Sequence, residues 1–338
     1  MLTNNQKPII CGNDESLTIL RNEFPQLEYK ELPSYSVNYA HNPGYFAFKM
    51  LFHLPRFLKA KRKDKRAAAK LVKEIHPDFI ISDNRYGFRH PKVHSVLISH
   101  QLLPLMPKNA KSVSGFIKKK IFKWLGAFDE VWVPDFEELP NLSGKLSHKT
   151  GFKGRITFCG PLSRFQNTEK QIHSHTFDIL AIVSGPEPHR TYFEQYCKGI
   201  ARKTGLKMCL IAGKPHENVS FEKENLTYYS HIETSEFENL ILQSQFVFSR
   251  SGYSTIMDMF VMNKKTLFVP TPGQTEQEYL AEYNSENGLF YYFKPERDDF
   301  LKCLEKLKRQ NPESRTYNNE LLINAMNKML AKMNPVSK

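Results

Sequence analysis

The chain has 338 residues, with 48 Lys+Arg against 35 Asp+Glu, 40% hydrophobic residues and 25% charged ones. That is apolar material for about two ordinary domains, and it excludes the disordered and fibrous classes. No apolar run approaches the ~18 residues of a membrane-spanning helix, the opening MLTNNQKPIICGND has no secretory leader pattern, and the five scattered cysteines (Cys11, Cys159, Cys197, Cys209, Cys303) contain no CxxC, so they read as reduced thiols of a cytosolic protein.

In chain order, apolar β-type runs at 8–11 (PIIC), 27–32, 78–82 (DFIIS), 94–99 (HSVLIS) and 130–134 (EVWVP) predict strands. Helices are predicted at 14–24, at 46–75 in pieces, and at 112–126. The stretch 139–176 is loop-rich and forms the natural junction. Beyond it, strands are predicted at 177–184 (FDILAIVS), 207–213, 226–230, 246–249 (FVFS) and 265–270, with helices at 189–204, 234–243, 253–262, 275–286, 296–310 and 316–333. Apolar strands alternating with helices require parallel sheets covered on both faces. The expected class is α/β, with two doubly wound, Rossmann-like domains divided at 162/163, the last helix returning toward the first domain.

The net charge of +13 is unevenly placed. Residues 1–170 hold 28 cationic and 15 anionic side chains, and residues 171–338 hold 20 of each. A basic half beside a neutral half points one domain at an anionic surface. The segment 46–66 joins an aromatic stretch to six cations around Asp64. In GFIKKKIFKWL (115–125), Phe116 and Trp124 lie among Lys118, Lys119, Lys120 and Lys123. A basic helix with aromatic residues on its apolar face suits a membrane interface, and it equally suits a core-packed helix with a solvated face. No nucleic-acid-binding motif accompanies the charge, so no nucleic acid partner is expected.

Ligands of doubly wound sheets bind beyond the carboxyl ends of the strands. In the neutral half those ends carry Ser184-Gly185, with His189 and Arg190 just after them, then Arg250-Ser251-Gly252, and Thr271-Pro272-Gly273. A strand, a small-residue turn and a helix start form a phosphate site, or an ordinary βα turn. FVFSRSGYSTIMDMF (246–260) places Ser251, Ser254 and Thr255 at a helix start and Asp258 one turn on, a pattern suited to a diphosphate and a ribose diol together. Gln277 and Glu278 follow FVPTPG at the next helix start, where a carboxamide and a carboxylate can hold sugar hydroxyls, though Thr275 and Glu278 also fit a capping box.

The run 249–288, SRSGYSTIMDMFVMNKKTLFVPTPGQTEQEYLAEYNSENG, resembles the donor-binding region of GT-B glycosyltransferases of family 28, such as the undecaprenyl-linked N-acetylglucosaminyltransferases of peptidoglycan synthesis; Gly160-Pro161-Leu162-Ser163-Arg164 is similar to the motif that opens the family's second domain. The resemblance implies a GT-B fold, with two Rossmann-like domains facing across a cleft. It also implies inverting, metal-independent transfer of a sugar from a nucleotide donor, a UDP-sugar, without a cofactor. By the same resemblance Asp258 holds the ribose diol. Ser184 and Gly185 lie at the diphosphate, Ser251, Gly252, Ser254 and Thr255 form the hydroxyl-rich helix start, and Arg164 lies near the donor. Gln277 matches the first glutamine of a sugar-binding pair, and Glu278 replaces the second. The family's opening strand and Gly-rich loop have no counterpart here, so the start is expected to be internal to a longer reading frame.

In the basic half, SDNRYGFR (82–89) and SHQL (99–102) follow apolar strands. Asp83, Arg85 and Arg89 suit an anionic acceptor such as a lipid-linked phosphate, and His100 or Asp83 suits a general base, with a structural histidine the alternative for His100. The expected acceptor is membrane-associated or a polysaccharide, with Arg85, Arg89, Phe116, Lys119, Lys120 and Trp124 toward it. The expected location is cytoplasmic, peripheral on the inner membrane face. Two rival readings are a catalytically inactive nucleotide-sugar or membrane-binding homologue and a UDP-sugar 2-epimerase-like enzyme.

Overall fold

The computed structural model describes residues 6–32, 46–105, 111–165, 175–309 and 317–332. The chain divides into two compact units, unit 1 (Met1–Val133, Lys149–Thr157 and Met329–Lys338) and unit 2 (Pro134–His148 and Phe158–Lys328).

Unit 1 contains β1 (Ile9–Gly12), α1 (Asp14–Glu23), β2 (Glu28–Glu31), α2 (Phe46–Ile75), β3 (Phe79–Asp83), β4 (His94–Ile98), α3 (Lys111–Leu125), β5 (Glu130–Val133) and β6 (Ile156–Phe158). Among the described residues the strands fall into two sheets, β1–β2 and β3–β4–β5–β6, where one doubly wound sheet is expected. β1 lies parallel to β2 with Ile9 opposite Glu28, and it is only half buried along its length, whereas EVWV of β5 is buried at every residue. The two sheets share an apolar cluster in which Leu32, Ala68, Ile80 and Phe88 are buried and Cys11, Leu71 and Val72 pack against them. α2 is one helix of 30 residues rather than pieces, with Pro55 inside it. The side chains of residues 46–54 lie outside the described residues. Proline removes one helical hydrogen bond, a local loss that the twenty residues after it outweigh.

The β3–β4 loop lies directly on α2. A Cβ on Gly87 would collide with the backbone carbonyl of Lys61, so only glycine permits this approach. The approach brings Arg85 onto Asp64, 2.5 Å from Nη2 and 3.2 Å from Nε to Oδ1. Asp64 is therefore fully buried on the inner face of a helix that otherwise reads as a solvated cationic run.

Unit 2 contains β7 (Phe177–Ile182), α4 (His189–Thr204), β8 (Met208–Ile211), β9 (Ser220–Lys223), β10 (Leu226–Tyr229), α5 (Thr234–Gln243), β11 (Ser244–Ser249), α6 (Tyr253–Val261), β12 (Thr266–Phe268), α7 (Thr275–Glu286), β13 (Tyr291–Tyr292) and α8 (Phe300–Arg309), followed by α9 (Glu320–Ala331), whose last residues count with unit 1. The sheet order is β13-β12-β11-β7-β8-β10-β9, all parallel except the β9–β10 pair. The central strands are apolar at consecutive positions because both faces are covered. Ile179, Leu180, Met208, Leu210, Val247 and Phe248 are all essentially inaccessible. The order reverses between β7 and β11, which makes their carboxyl ends the ligand crevice of such a sheet.

The unit boundary is more involved than one cut at 162. Pro134–His148 folds onto unit 2, where buried Asp135 accepts the N–H groups of Leu142 and Ser143 at 2.8 Å each, and Asn284 of α7 donates to the Leu142 carbonyl at 3.0 Å. The chain then returns to unit 1 for β6, and Lys332 pairs with Glu130 of unit 1 at 3.0 Å. Burial raises and the Thr157 hydroxyl and Lys332 lower the Glu130 pKa, and the net result lies below the usual range.

Candidate functional site

At the carboxyl end of β11 the backbone turns through Arg250-Ser251-Gly252 into α6. Its N-cap, Gly252, offers no side-chain acceptor, so the first-turn amides of a helix start stand without a side-chain cap. Ser254 is exposed there and Thr255 half buried. One turn on, Asp258 is buried. Ser163 donates to its Oδ1 at 2.6 Å, and Arg164 Nε lies 3.6 Å from its Oδ2. Arg164 is itself held between two aromatic rings, its guanidinium carbon 5.2 Å from the Phe165 centroid and 4.9 Å from that of Phe237. Burial raises the Asp258 pKa above the ordinary carboxylate value, and Ser163 and Arg164 oppose the rise without cancelling it. The result is a carboxylate with acceptor capacity to offer, beside uncapped amides and a half-exposed guanidinium. A vicinal diol satisfies the first and a diphosphate the second.

Several residues named from the sequence have other duties. Ser251 is fully buried and donates to the Gln277 carbonyl at 2.8 Å, tying the α6 start to α7. Gln277 Oε1 accepts the Thr271 N–H at 2.8 Å, and Glu278 Oε1 accepts the Gly273 N–H at 3.2 Å. Both side chains brace the Pro-Gly turn after β12, and no capping box forms at Thr275, because the N-cap of α7 is Gln274 with no side-chain bond. Arg190 is held by Glu187 at 2.7 Å and donates to the Gly213 carbonyl at 3.0 Å. Glu187 also accepts the Thr191 N–H at 3.2 Å, so a carboxylate of the chain already occupies the start of α4. The α6 start, unlike the α4 start, has no carboxylate of the chain at its first-turn amides among the described contacts. Ser184 and Gly185 remain exposed at the end of β7, with Gly185 at φ +102°, and the His189 ring lies edge-on to Tyr192.

In unit 1 the expectation for Arg85 is corrected. Its guanidinium closes on Asp64, so the charge expected to face an acceptor is already paired within the unit. Trp124 is also packed, its ring 4.9 Å from Phe57 and 6.2 Å from Tyr86. Lys61 Nζ sits 4.8 Å over the Trp124 ring, and burial, with Arg89, Lys123 and Lys65 nearby, lowers its pKa to about 8. Phe116 is 56% exposed, with Lys120 Nζ 4.9 Å over its ring and Lys119 exposed beside it. Asp83, at the end of β3, reaches solvent, yet the protein packed around it raises its pKa while His100 pulls it down.

Sequence reasoning missed Ser163 as a partner of Asp258, and the Phe165–Phe237 clamp on Arg164. The first was visible only as the residue before a named arginine. The second joins positions 72 apart and has no local signal.

Residues 197–332 match the glycosyltransferase family 28 C-terminal domain, a span that contains α6, α7 and Asp258. An uncharacterized glycosyltransferase of Methanosarcina mazei is 22% identical over 255 residues, which cover 70% of this chain and 66% of that protein, so the chain spans about two thirds of the length of such relatives. A UDP-N-acetylglucosamine--N-acetylmuramyl-(pentapeptide) pyrophosphoryl-undecaprenol N-acetylglucosamine transferase of Sulfurihydrogenibium is 28% identical over 112 residues, 32% of this chain and 31% of that protein. Among solved structures, the calicheamicin glycosyltransferase CalG4 superposes with a TM-score of 0.60 at 13% identity, covering 100% of this chain and 93% of its own. The fold is that of the GT-B glycosyltransferases. Region 197–332 of the chain is similar to the family 28 C-terminal domain, the half that carries α6, α7 and Asp258.

Proposed function

We propose that the protein transfers a sugar from a nucleotide-diphosphate donor, a UDP-sugar, to a membrane-associated or polysaccharide acceptor, with inversion and without a metal. The observation that carries the donor half is Asp258, a buried carboxylate that keeps a raised pKa beside an uncapped helix start. Its oxygens would accept the ribose hydroxyls. The α6 amides and Arg164 would offset the charge that develops on the departing diphosphate, which is the preorganised electrostatic stabilisation such a displacement needs. The name of the Sulfurihydrogenibium relative includes a UDP-sugar donor, in keeping with this reading. Asp83, with its raised pKa near His100, is the candidate base toward the acceptor hydroxyl. Exposed Phe116 with Lys119 and Lys120 supports an anionic membrane surface as the address of unit 1. Among the described residues no helix is long and apolar enough to cross a membrane.

Calorimetry with UDP, GDP and a panel of their sugars tests the donor. UDP binding that Asp258→Ala weakens at least tenfold is expected, and UDP binding indifferent to that change would falsify the assignment. Co-sedimentation with phosphatidylglycerol vesicles tests the address. Binding is expected to fall with salt and in Phe116→Ser, and equal binding to neutral phosphatidylcholine vesicles would remove the electrostatic part.

A further inference from the structure

A second feature of unit 2 lies at the ends of β11, β12 and β13. The first two turns of α4 place Tyr192 and Tyr196 on one face, four residues apart, and the end of β13 and the chain leaving it place Tyr292 and Lys294 among the other walls of a cavity of about 330 Å³. Arg250 lines it, at the end of β11. This arginine is 7% exposed. Its guanidinium carbon lies 4.2 Å from the Phe193 ring centroid, and Nη1 donates to the carbonyls of Val269 at 3.4 Å and Pro270 at 2.7 Å. Buried Nε has no acceptor, and no carboxylate among the described residues pairs with the group. Burial pushes its pKa down to about 10, which still leaves it cationic at neutral pH.

A buried cation without a counter-charge is costly. A ring face and two carbonyl dipoles reduce that cost but supply no negative charge. Elsewhere in the same unit a buried charge is neutralised internally, as Glu194 is by Lys198 at 2.5 Å and Lys214 at 3.0 Å. Tyr192, at the mouth, is 64% exposed. Lys294, Glu278 (held on the Gly273 N–H) and exposed Glu296 also line the cavity, so Arg250 is the buried charge in its wall that has no ionic partner among the described residues. With the flanking aromatic rings, the cavity has the composition of a small-ligand site. Its volume suits one monosaccharide-sized group.

We propose that this crevice binds an acidic sugar, with carboxylate or phosphate oxygens on Arg250 and the ring against the tyrosines. The inference deepens the reading of unit 2 as the donor unit. The anion comes either from the sugar of the nucleotide donor or from a free sugar phosphate, and the two sources separate in one experiment. Calorimetry on the full chain compares UDP-glucuronate with UDP-glucose, and glucose 1-phosphate with glucose. The acidic member of one pair is expected to bind at least tenfold more tightly. Preference in the first pair makes the ligand the donor sugar, and preference in the second alone makes it a free one. The preference is expected to vanish in Arg250→Gln. Because that change also frees the loop carbonyls, Tyr192→Ala at the exposed wall gives an independent check and is expected to cut affinity for the acidic sugar several-fold without altering UDP binding. Equal affinity within both pairs overturns the proposal. UDP that fails to bind while glucose 1-phosphate binds through Arg250 refutes the donor reading and leaves the crevice standing.

Discussion

Asp64 in unit 1 and Asp258 in unit 2 are both buried carboxylates on helices, each within reach of one arginine, and they do opposite things. Asp64 meets Arg85 through two nitrogens at 2.5 and 3.2 Å, and the arginine itself is only 19% exposed. Asp258 meets a half-exposed Arg164 at 3.6 Å and one hydroxyl at 2.6 Å, and its pKa stays raised. A buried charge that the fold satisfies completely is structural. One that the fold leaves partly unsatisfied has hydrogen-bonding capacity left for a ligand, and Arg250, whose buried Nε has no acceptor among the described residues, belongs with Asp258 in that respect.

The largest expected effect breaks the comparison at its structural end. Asp64→Ala leaves Arg85 packed on α2 without a counter-charge, and unit 1 should lose about 3 kcal/mol in denaturant unfolding. Replacing both partners with apolar residues should recover most of that loss, while nucleotide affinity stays at wild type. A single variant as stable as wild type would place Asp64 with the solvated charges. At the other end, Asp258→Asn should leave stability within about 1 kcal/mol of wild type, because it removes a charge that burial disfavours, yet weaken nucleotide binding by about 1.5–3 kcal/mol. The sign of the pH dependence follows from the raised pKa. The ionised form costs folding free energy above the ordinary carboxylate range, so acidification relieves the fold as it protonates the group, and the diol acceptor is lost at a higher pH than an unperturbed aspartate would allow. Thermal shifts with and without UDP across pH 4–7 check both.

The smallest effect concerns Lys61. Its depressed pKa, about 8, means that holding the charge among Arg89, Lys123 and Lys65 costs the folded state. Lys61→Met keeps the packing on Trp124 and should stabilise unit 1 by no more than about 1 kcal/mol once solvent screening is allowed for. The gain should be complete below pH 8 and fade toward the unfolded lysine value near ~10.4. Chemical denaturation at pH 7 and pH 10 reads it directly.

The elements themselves were largely legible. Strands buried on both faces, such as FDILAI and EVWV, announce themselves as apolar runs, and α4, α5 and α7 have the bounds the pattern predicts. The strands that went unread are edges or near-edges. β9 is exposed at all four residues, β13 has two residues, and β6 has three half-buried ones. A strand paired on one side only needs no continuous apolar run. The candidate site was legible as a set of positions, because strand ends and helix starts constrain residue type locally. The duty of each side chain was not legible. Gln277, Glu278, Ser251 and Arg190 have the chemistry of ligand contacts and are engaged instead by backbone and side-chain partners in neighbouring loops.

The sequence by itself determined the α/β class, the parallel sheets, the neutral second half and the strand-end positions of the candidate site, because burial pattern and helix-start chemistry act over a few residues. Which charges are closed off and which are left open was decided only in three dimensions. Arg85 finds Asp64 across 21 residues, Asp258 finds Ser163 across 95, and Arg250 finds two carbonyls and a ring but, among the described residues, no acid. Whether a buried charge is compensated depends on partners that only the packing of distant segments brings within hydrogen-bond reach.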